Sequence, residues 1–149
     1  MNERSINILS RKIDIIRLRL KRLQKYRLIT VQDYLENDEA QDVIERNLEI
    51  IIQAAVDINK RILKELFRSS DVEIKAVKNS ESFLLMAREG ILSDPLASEL
   101  AKSGGFRNVL AHLYDEIVPV KVIIALGETL ELYPEYLSEI QSYLDLFEN

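Results

Sequence analysis

A long run of apolar residues at helical spacing constrains the fold of this chain most. From about Glu39 to Phe67, apolar side chains recur every three or four residues, as they do on one face of an amphipathic helix. They are Val43, Ile44, Leu48, Ile51, Ile52, Ala55, Ile58, Ile62, Leu63 and Leu66. At a rise of 1.5 Å per residue such a helix is about 40 Å long. The sequence therefore predicts one long helix against which the rest of the chain packs.

Shorter helices are predicted on both sides of this run. Upstream, an apolar stripe from Ile6 to Leu23 indicates an amphipathic helix, and Thr30 three residues before Asp33 is a capping pair that starts another. Downstream, residues 68–75 are polar and aperiodic, which is typical of a loop. A helix from about Asn79 to Arg88 should follow and stop before Gly90.

Glycine and proline predict the boundaries of the last helices. Asp94-Pro95 has the pattern of a helix start, and we expect that helix to run to about Lys102. Ser103-Gly104-Gly105 is predicted to break the chain, so that a new helix starts there.

That helix is expected to run as far as Tyr133, with a kink or interruption at Pro119, and Pro134 is expected to open the final segment. No segment alternates convincingly as a strand would. We therefore predict an all-α bundle of four to five helices, with residues 1–149 as a single domain.

Composition limits the chemistry. The chain has 47% hydrophobic and 30% charged residues, typical of a folded globular protein. No apolar run reaches transmembrane length, and residues 1–9 are too polar for a signal peptide, so we expect a cytoplasmic protein. Cysteine is absent and there is one histidine, which argues against a disulfide or a zinc centre. We predict a site without metal or cofactor.

The net charge of −5 is unevenly distributed. Residues 1–27 contain nine Lys/Arg and two carboxylates, whereas residues 115–149 contain eight carboxylates and only Lys121 as a cation. A basic first helix can attract polyanions locally in an acidic protein. Two solvated helix faces that complement each other explain the pattern equally well.

The only histidine lies in a compact motif, Arg107-Asn108-Val109-Leu110-Ala111-His112-Leu113-Tyr114. An arginine that stays charged, a base that titrates near neutrality and a phenol lie within two helical turns. The predicted helix start after Gly105 would add unpaired N–H groups for an anion. Phosphate could then bind near Arg107, with His112 as general acid or base. From the spacing alone, R-x4-H is a weak signal, and a hydrogen-bonded residue at the edge of the core is the better explanation of His112.

The motif resembles the R-x4-H-x-Y signature of the HepT-like toxins, a branch of the HEPN superfamily (higher eukaryotes and prokaryotes nucleotide-binding). The match extends to Gly105-Phe106, and residues 43–58 resemble the long helix of the family. No motif position departs from the pattern. The resemblance covers most of the chain in helix order.

This resemblance implies an endoribonuclease toxin, encoded beside a minimal nucleotidyltransferase (MNT) antitoxin. In that family a homodimer forms the catalytic cleft, to which both protomers contribute the arginine and the histidine. By carry-over, Arg107 binds the scissile phosphate, His112 transfers the proton and Asn108 orients one of them. Tyr114 is the residue that the antitoxin modifies with AMP.

Three charged residues on the long helix, Glu45, Arg46 and Glu49, match a charged stretch of the family and are candidates for lining the cleft. A solvated helix face is the alternative for them, and the one we slightly prefer.

Two functions follow from the sequence. One is an RNase toxin that cleaves cellular RNA; the other is a non-catalytic HEPN module that binds nucleotide or docks a nucleotidyltransferase. The intact set of Arg107, Asn108 and His112 favours the nuclease, because a scaffold has no chemical need for it. The acidic average charge favours the module.

Overall fold

Helices make up most of the chain in this computed structural model, which describes residues 1–112, 115 and 117–148. The described residues contain six α-helices and no strand. The helices are α1 (Glu3–Leu23), α2 (Val31–Glu36), α3 (Asp38–Leu66), α4 (Asn79–Arg88), α5 (Asp94–His112) and α6 (Pro119–Asp145). The prediction of an all-α bundle is confirmed, and the short α2 brings the number of helices above the four to five expected. None of these helices is both long and apolar enough to cross a membrane.

The first three helices begin at side-chain caps. The side chain of Asn2 accepts a hydrogen bond from the Ser5 amide at 2.9 Å, and that of Asn37 accepts one from the Ala40 amide at 3.0 Å. Thr30 and Asp33 form the predicted capping box at the start of α2. Each cap satisfies an amide that the helix itself leaves unpaired.

Helix α3 is the centre of the bundle, as its apolar pattern predicts. It packs against α1, α4, α5 and α6. Ile44, Leu48, Ile51, Ile58 and Ile62 are fully buried. Burial of each such side chain contributes about 1.5–3 kcal/mol relative to exposure, so this face fixes where the other helices lie.

A buried polar network joins α3 to α4 and α6. The Tyr136 hydroxyl lies 2.6 Å from Asn59 Oδ1 and 3.0 Å from the Ala55 carbonyl oxygen. Asn59 Nδ2 donates to Ser82 Oγ at 3.1 Å, and Ser82 Oγ donates to the Asn79 carbonyl at 2.7 Å. These groups pair with one another inside the chain, which fixes the relative register of three helices.

The predicted break at 103–105 is wrong, because α5 continues through both glycines. Gly104 instead allows α5 to approach the start of α4 closely. A Cβ at Gly104 would lie 2.6 Å from the Ser80 amide nitrogen, whereas one at Gly105 would meet nothing within 4 Å. The missing side chain at Gly104 is therefore a packing requirement, and tertiary contact overrides the low helix propensity of glycine.

The start of the last helix predicted at Pro134 is wrong, whereas the interruption predicted at Pro119 is confirmed, because α6 begins at that residue. Pro119 lies in the first turn of α6, where a backbone N–H would have no partner within the helix, so proline loses no hydrogen bond there. Pro134 lies inside the same helix. Tyr133, Tyr136 and Leu137 are buried around Pro134. Packing on both sides keeps the helix continuous across the lost backbone bond.

Contacts along α6 establish the helix directions. Tyr136 contacts Asn59 and Tyr143 lies near Glu65, so α6 runs parallel to α3. Ser93 contacts Glu139 and Ser103 contacts Tyr133, so α5 runs antiparallel to α6. The second half of α5 therefore lies beside the beginning of α6, away from the carboxyl end of α3.

Candidate active site

The motif lies in the second half of α5. Arg107 is half-buried, whereas Asn108 and His112 are exposed. Asn108 and His112 are four residues apart and share one helix face. Arg107 and His112 differ by about 140° around the axis and by about 7.5 Å along it. Tyr114 lies outside the described residues, so its predicted role as AMP acceptor stays a prediction.

Arg107 has an unusual environment. Its Nε, like that of Arg19 on α1, is buried and has no hydrogen-bond partner among the described residues. No described carboxylate forms an ion pair with its guanidinium. A buried polar group without a partner is uncommon in folded proteins and requires an explanation. A bound anion or a group from a second chain would satisfy it.

The predicted anion site at a helix N-terminus after Gly105 is wrong. Because α5 is continuous from Asp94, the amides around Gly105 belong to the helix interior and are not free to bind an anion. The motif also lies toward the negative end of the helix dipole. Any phosphate near it must therefore be held by side chains, which increases the importance of Arg107.

A cleft of about 180 Å³ lies beside the motif, between α3, α5 and α6. Phe106 lines it next to Arg107, together with apolar side chains such as Ile52 and Ile124. Lys102 and Lys121 also line it. A flat apolar group such as a nucleobase can stack on an aromatic side chain, and ammonium groups can pair with its phosphate.

The two lysines are site residues that the motif analysis missed. Lys102 pairs with Glu99 at 3.1 Å, and Lys121 has no ion pair with a described carboxylate. A sequence signal existed for Lys121, because it is the only cation in residues 115–149. Its proximity to Phe106 depends on the antiparallel packing of α5 and α6, which no local pattern reveals.

Tyr133 closes the inner side of the cleft. Its hydroxyl lies 3.1 Å from Ser103 Oγ, which itself donates to the Leu100 carbonyl at 2.6 Å. The tyrosine must then be the donor of this pair. Burial raises the pKa of Tyr133 above its ordinary value. The phenol is thus neutral near pH 7 and has a structural role.

The three candidate cleft residues on α3 do not form one cluster. Glu45 accepts a hydrogen bond from the Tyr34 hydroxyl. Arg46 pairs with Glu49 at 3.3 Å, with side-chain exposures of 65% and 18%. Of the three, only Arg46 is exposed enough to belong to a solvated helix face, which is the alternative to lining the cleft. Among the described residues, no hydrogen bond or ion pair joins the three to the motif, so their role in the cleft stays a prediction.

Arg19 connects the basic first helix to this part of α3. Its Nη1 donates to Asn47 Oδ1 at 3.3 Å, and Asn47 is held by its own bond to the Val43 carbonyl at 2.6 Å. Burial lowers the pKa of Arg19, and the nearby charges of Arg22 and Arg46 lower it further. No ion pair between α1 and α6 is found among the described residues, so α6 does not neutralise the cations of α1 by direct pairing.

The described residues contain no group of three or more His, Asp or Glu side chains placed to hold a metal ion. The described side chains of the motif provide a guanidinium, an imidazole and an amide, and the two lysines of the cleft add ammonium groups. These groups can bind a phosphate, transfer a proton and orient a reacting group.

Comparison with known proteins places the chain in a family. The model of the ribonuclease HepT-like family matches residues 16–140. The chain is 39% identical to the tRNA nuclease HepT of Aphanizomenon flos-aquae, over 92% of this chain and 90% of that protein. It is 26% identical to the mRNA nuclease HepT of Shewanella oneidensis, over 91% of this chain and 98% of that protein.

A solved structure has the same fold over nearly the full length. It is the tri-AMPylated HEPN toxin of Shewanella oneidensis in complex with MNT antitoxin, with a TM-score of 0.75 and 25% identity. The likeness covers 95% of this chain and 99% of that chain.

Fold and comparisons together define the class, an all-α ribonuclease of the HEPN type. The chain belongs to the ribonuclease HepT-like family. The resemblance found in the sequence is thereby confirmed, and so is the choice of an endoribonuclease over a non-catalytic module.

Proposed function

We propose that this chain is the toxin of a HEPN/MNT toxin–antitoxin pair and that it cleaves cytoplasmic RNA with Arg107, Asn108 and His112. The observation that carries the proposal is the buried Arg107 Nε, which has no partner in the part of the chain that the structure describes, on the helix that also presents His112 to solvent. The names of the relatives, a tRNA nuclease and an mRNA nuclease, support RNA as the substrate.

RNA supplies the nucleophile for a metal-free reaction. The neutral imidazole of His112 takes the proton of a 2′-OH, and the 2′-oxygen attacks the adjacent phosphorus while the bond to the 5′-oxygen breaks. His112 of the second protomer, protonated as an imidazolium, gives a proton to the leaving 5′-oxygen. The products are a 2′,3′-cyclic phosphate and a 5′-hydroxyl. Arg107 binds the phosphate oxygens and Asn108 orients the reacting groups.

The site is complete only in a homodimer. Arg107 and His112 point about 140° apart on one helix, so Arg107 of one protomer serves His112 of the other more readily than its own. Val118, Val120 and Ile124 beside the motif are 42%, 49% and 54% exposed. An apolar surface of this kind at the beginning of α6 suits an interface between two copies.

Sedimentation tests the dimer. We expect Val120→Asp with Ile124→Asp to give a folded monomer that no longer cleaves RNA. Leu84→Asp is the matched control, because Leu84 is 49% exposed on α4, away from this surface. A wild-type monomer at micromolar concentration would contradict the composite site.

Control by an antitoxin is the second part of the proposal. The MNT partner and AMPylation of the Shewanella oneidensis toxin support a nucleotidyltransferase that places AMP on Tyr114. The added phosphodiester would compete with substrate phosphate for Arg107. Tyr114→Phe should stay active and escape the antitoxin. An AMP-sized mass addition on another residue of the co-expressed chain would contradict this assignment.

Incubation of the purified protein with total RNA in EDTA tests catalysis. We expect cleavage that ends in 2′,3′-cyclic phosphate and that is absent from all-deoxy substrates. The His112→Ala variant should lose it, whereas Arg88→Ala, an exposed change on α4, should keep it. Abolition by EDTA, or equal cleavage of the deoxy substrate, would overturn the mechanism.

A further inference from the structure

A second, strongly basic cleft lies away from the motif. It has a volume of about 600 Å³ and lies where the start of α1 meets the carboxyl half of α3 and the turn at Ile74–Ala76. Six cations line it, Lys12, Lys60, Arg61, Lys64, Arg68 and Lys75, against the carboxylates Asp57 and Glu65. This set is called the basic cleft below.

The two carboxylates do not neutralise the basic cleft. Asp57 pairs with Lys12 at 3.3 Å and Glu65 pairs with Arg68 at 2.7 Å. Lys60, Arg61, Lys64 and Lys75 form no ion pair with any carboxylate in the described ranges. Four uncompensated cations around one concave surface, in a chain of net charge −5, produce a local field opposite in sign to that of the whole protein.

The basic cleft and the motif lie toward opposite ends of the bundle. Glu65 of the cleft lies near Tyr143, ten residues beyond Tyr133, which contacts Ser103. From Ser103, α5 runs the other way toward Arg107. The helical rise over both stretches gives a separation of about 20 Å along the bundle axis. Arg107, Asn108 and His112 do not line the basic cleft.

We propose that the basic cleft binds the phosphate backbone of the RNA substrate at a distance from the scissile bond. The proposal rests on the proposed function, because RNA is its ligand. Lysine and arginine around an open groove bind successive phosphates without reading bases. At about 3.4 Å per nucleotide of a helical strand, about six nucleotides span the separation within one chain. The basic cleft thus selects long, structured RNA over short fragments.

Binding of total tRNA tests the proposal without requiring cleavage. In a His112→Ala background, Lys60→Gln with Lys64→Gln should raise the Kd about tenfold or more at 0.1 M salt. The slope of log K against log salt should flatten by about 1.4–1.8, the value for two lost phosphate contacts. Lys21→Gln with Lys25→Gln is the matched control. It removes two charges from exposed positions outside the basic cleft and should leave the Kd within about twofold.

Cleavage kinetics add a second readout in the active chain. The Lys60→Gln/Lys64→Gln variant should raise KM for tRNA with kcat unchanged, and should cleave a tetraribonucleotide as the wild type does. If the chain cleaves no RNA, the proposed function fails. The measured Kd and salt slope still test whether the basic cleft binds RNA. An unchanged Kd and salt slope would overturn the proposal. So would equal weakening by the control pair.

Discussion

Two parts of the molecule treat their polar groups in opposite ways. In the network of Tyr136, Asn59 and Ser82, buried donors and acceptors are matched within the chain. At the motif, Arg107 Nε is buried without a described partner, and His112 faces solvent. A satisfied network stabilises one packing of the helices, whereas an unsatisfied group beside an exposed base favours binding of an anion or of a second chain. The contrast separates residues that maintain the fold from residues available for chemistry.

Loss of the imidazole should give the largest effect on activity. His112→Ala should reduce the rate of RNA cleavage by about two to four orders of magnitude, the usual range for general acid–base catalysis. The melting temperature should change little, because His112 is exposed on the helix surface. A variant that retained a tenth of the activity would show that His112 is not the general acid or base. A variant that unfolded would show that His112 has a structural role.

Replacement of the guanidinium should have the next largest effect. Arg107→Lys should lower kcat/KM by about 10- to 100-fold, because an ammonium cannot make a bidentate contact with phosphate. Sulfate or phosphate should raise the melting temperature of the wild type more than that of this variant. Equal stabilisation of both proteins would show that Arg107 does not bind the anion.

The polar network should respond in the reverse manner. Tyr136→Phe leaves Asn59 Oδ1 buried without its donor and should lower the free energy of unfolding by about 1–3 kcal/mol. RNA cleavage well below the melting temperature should remain near the wild-type rate. Burial raises the pKa of Tyr136 well above its ordinary value. Its contribution to stability is therefore complete below pH 10 and is lost only as the pH rises beyond that.

Chemical denaturation monitored by circular dichroism checks the Tyr136 prediction. Tyr143→Phe serves as control, since its ring packs near the surface against Phe147 and no hydrogen bond of its hydroxyl is found among the described residues. Equal destabilisation by the two variants would mean that the network contributes no more than an ordinary tyrosine hydroxyl.

The sequence correctly predicted the structural features that depend on local periodicity. Helix α3 was expected from about Glu39 to Phe67 and spans Asp38–Leu66, because the stripe of apolar residues is itself the surface that packs. The motif was found in the same way, by spacing along one helix. The burial of Arg107 and the approach of Lys121 to Phe106 depend on α5 packing against α6, and no local pattern contains that information.

Glycine and proline misled for the same reason. Both are read as breakers from their backbone preferences, yet Gly104 is required for the contact with α4, and Pro134 is held between buried neighbours. Of the two adjacent glycines, Gly104 is required for packing, whereas Gly105 only lowers the helix propensity of α5. The two positions can be separated by experiment.

Alanine at these two glycines should change stability in opposite directions. Gly104→Ala places a methyl group 2.6 Å from the backbone nitrogen of Ser80, so α4 and α5 must separate, at a cost of about 1–3 kcal/mol. Gly105→Ala meets no atom within 4 Å and removes the entropic cost of glycine in a helix. It should stabilise the chain by about 0.5–1 kcal/mol. Thermal unfolding of both variants measures the difference directly. If Gly105→Ala were as destabilising as Gly104→Ala, α5 would not be continuous through residues 103–105, and the motif would again lie near a helix start.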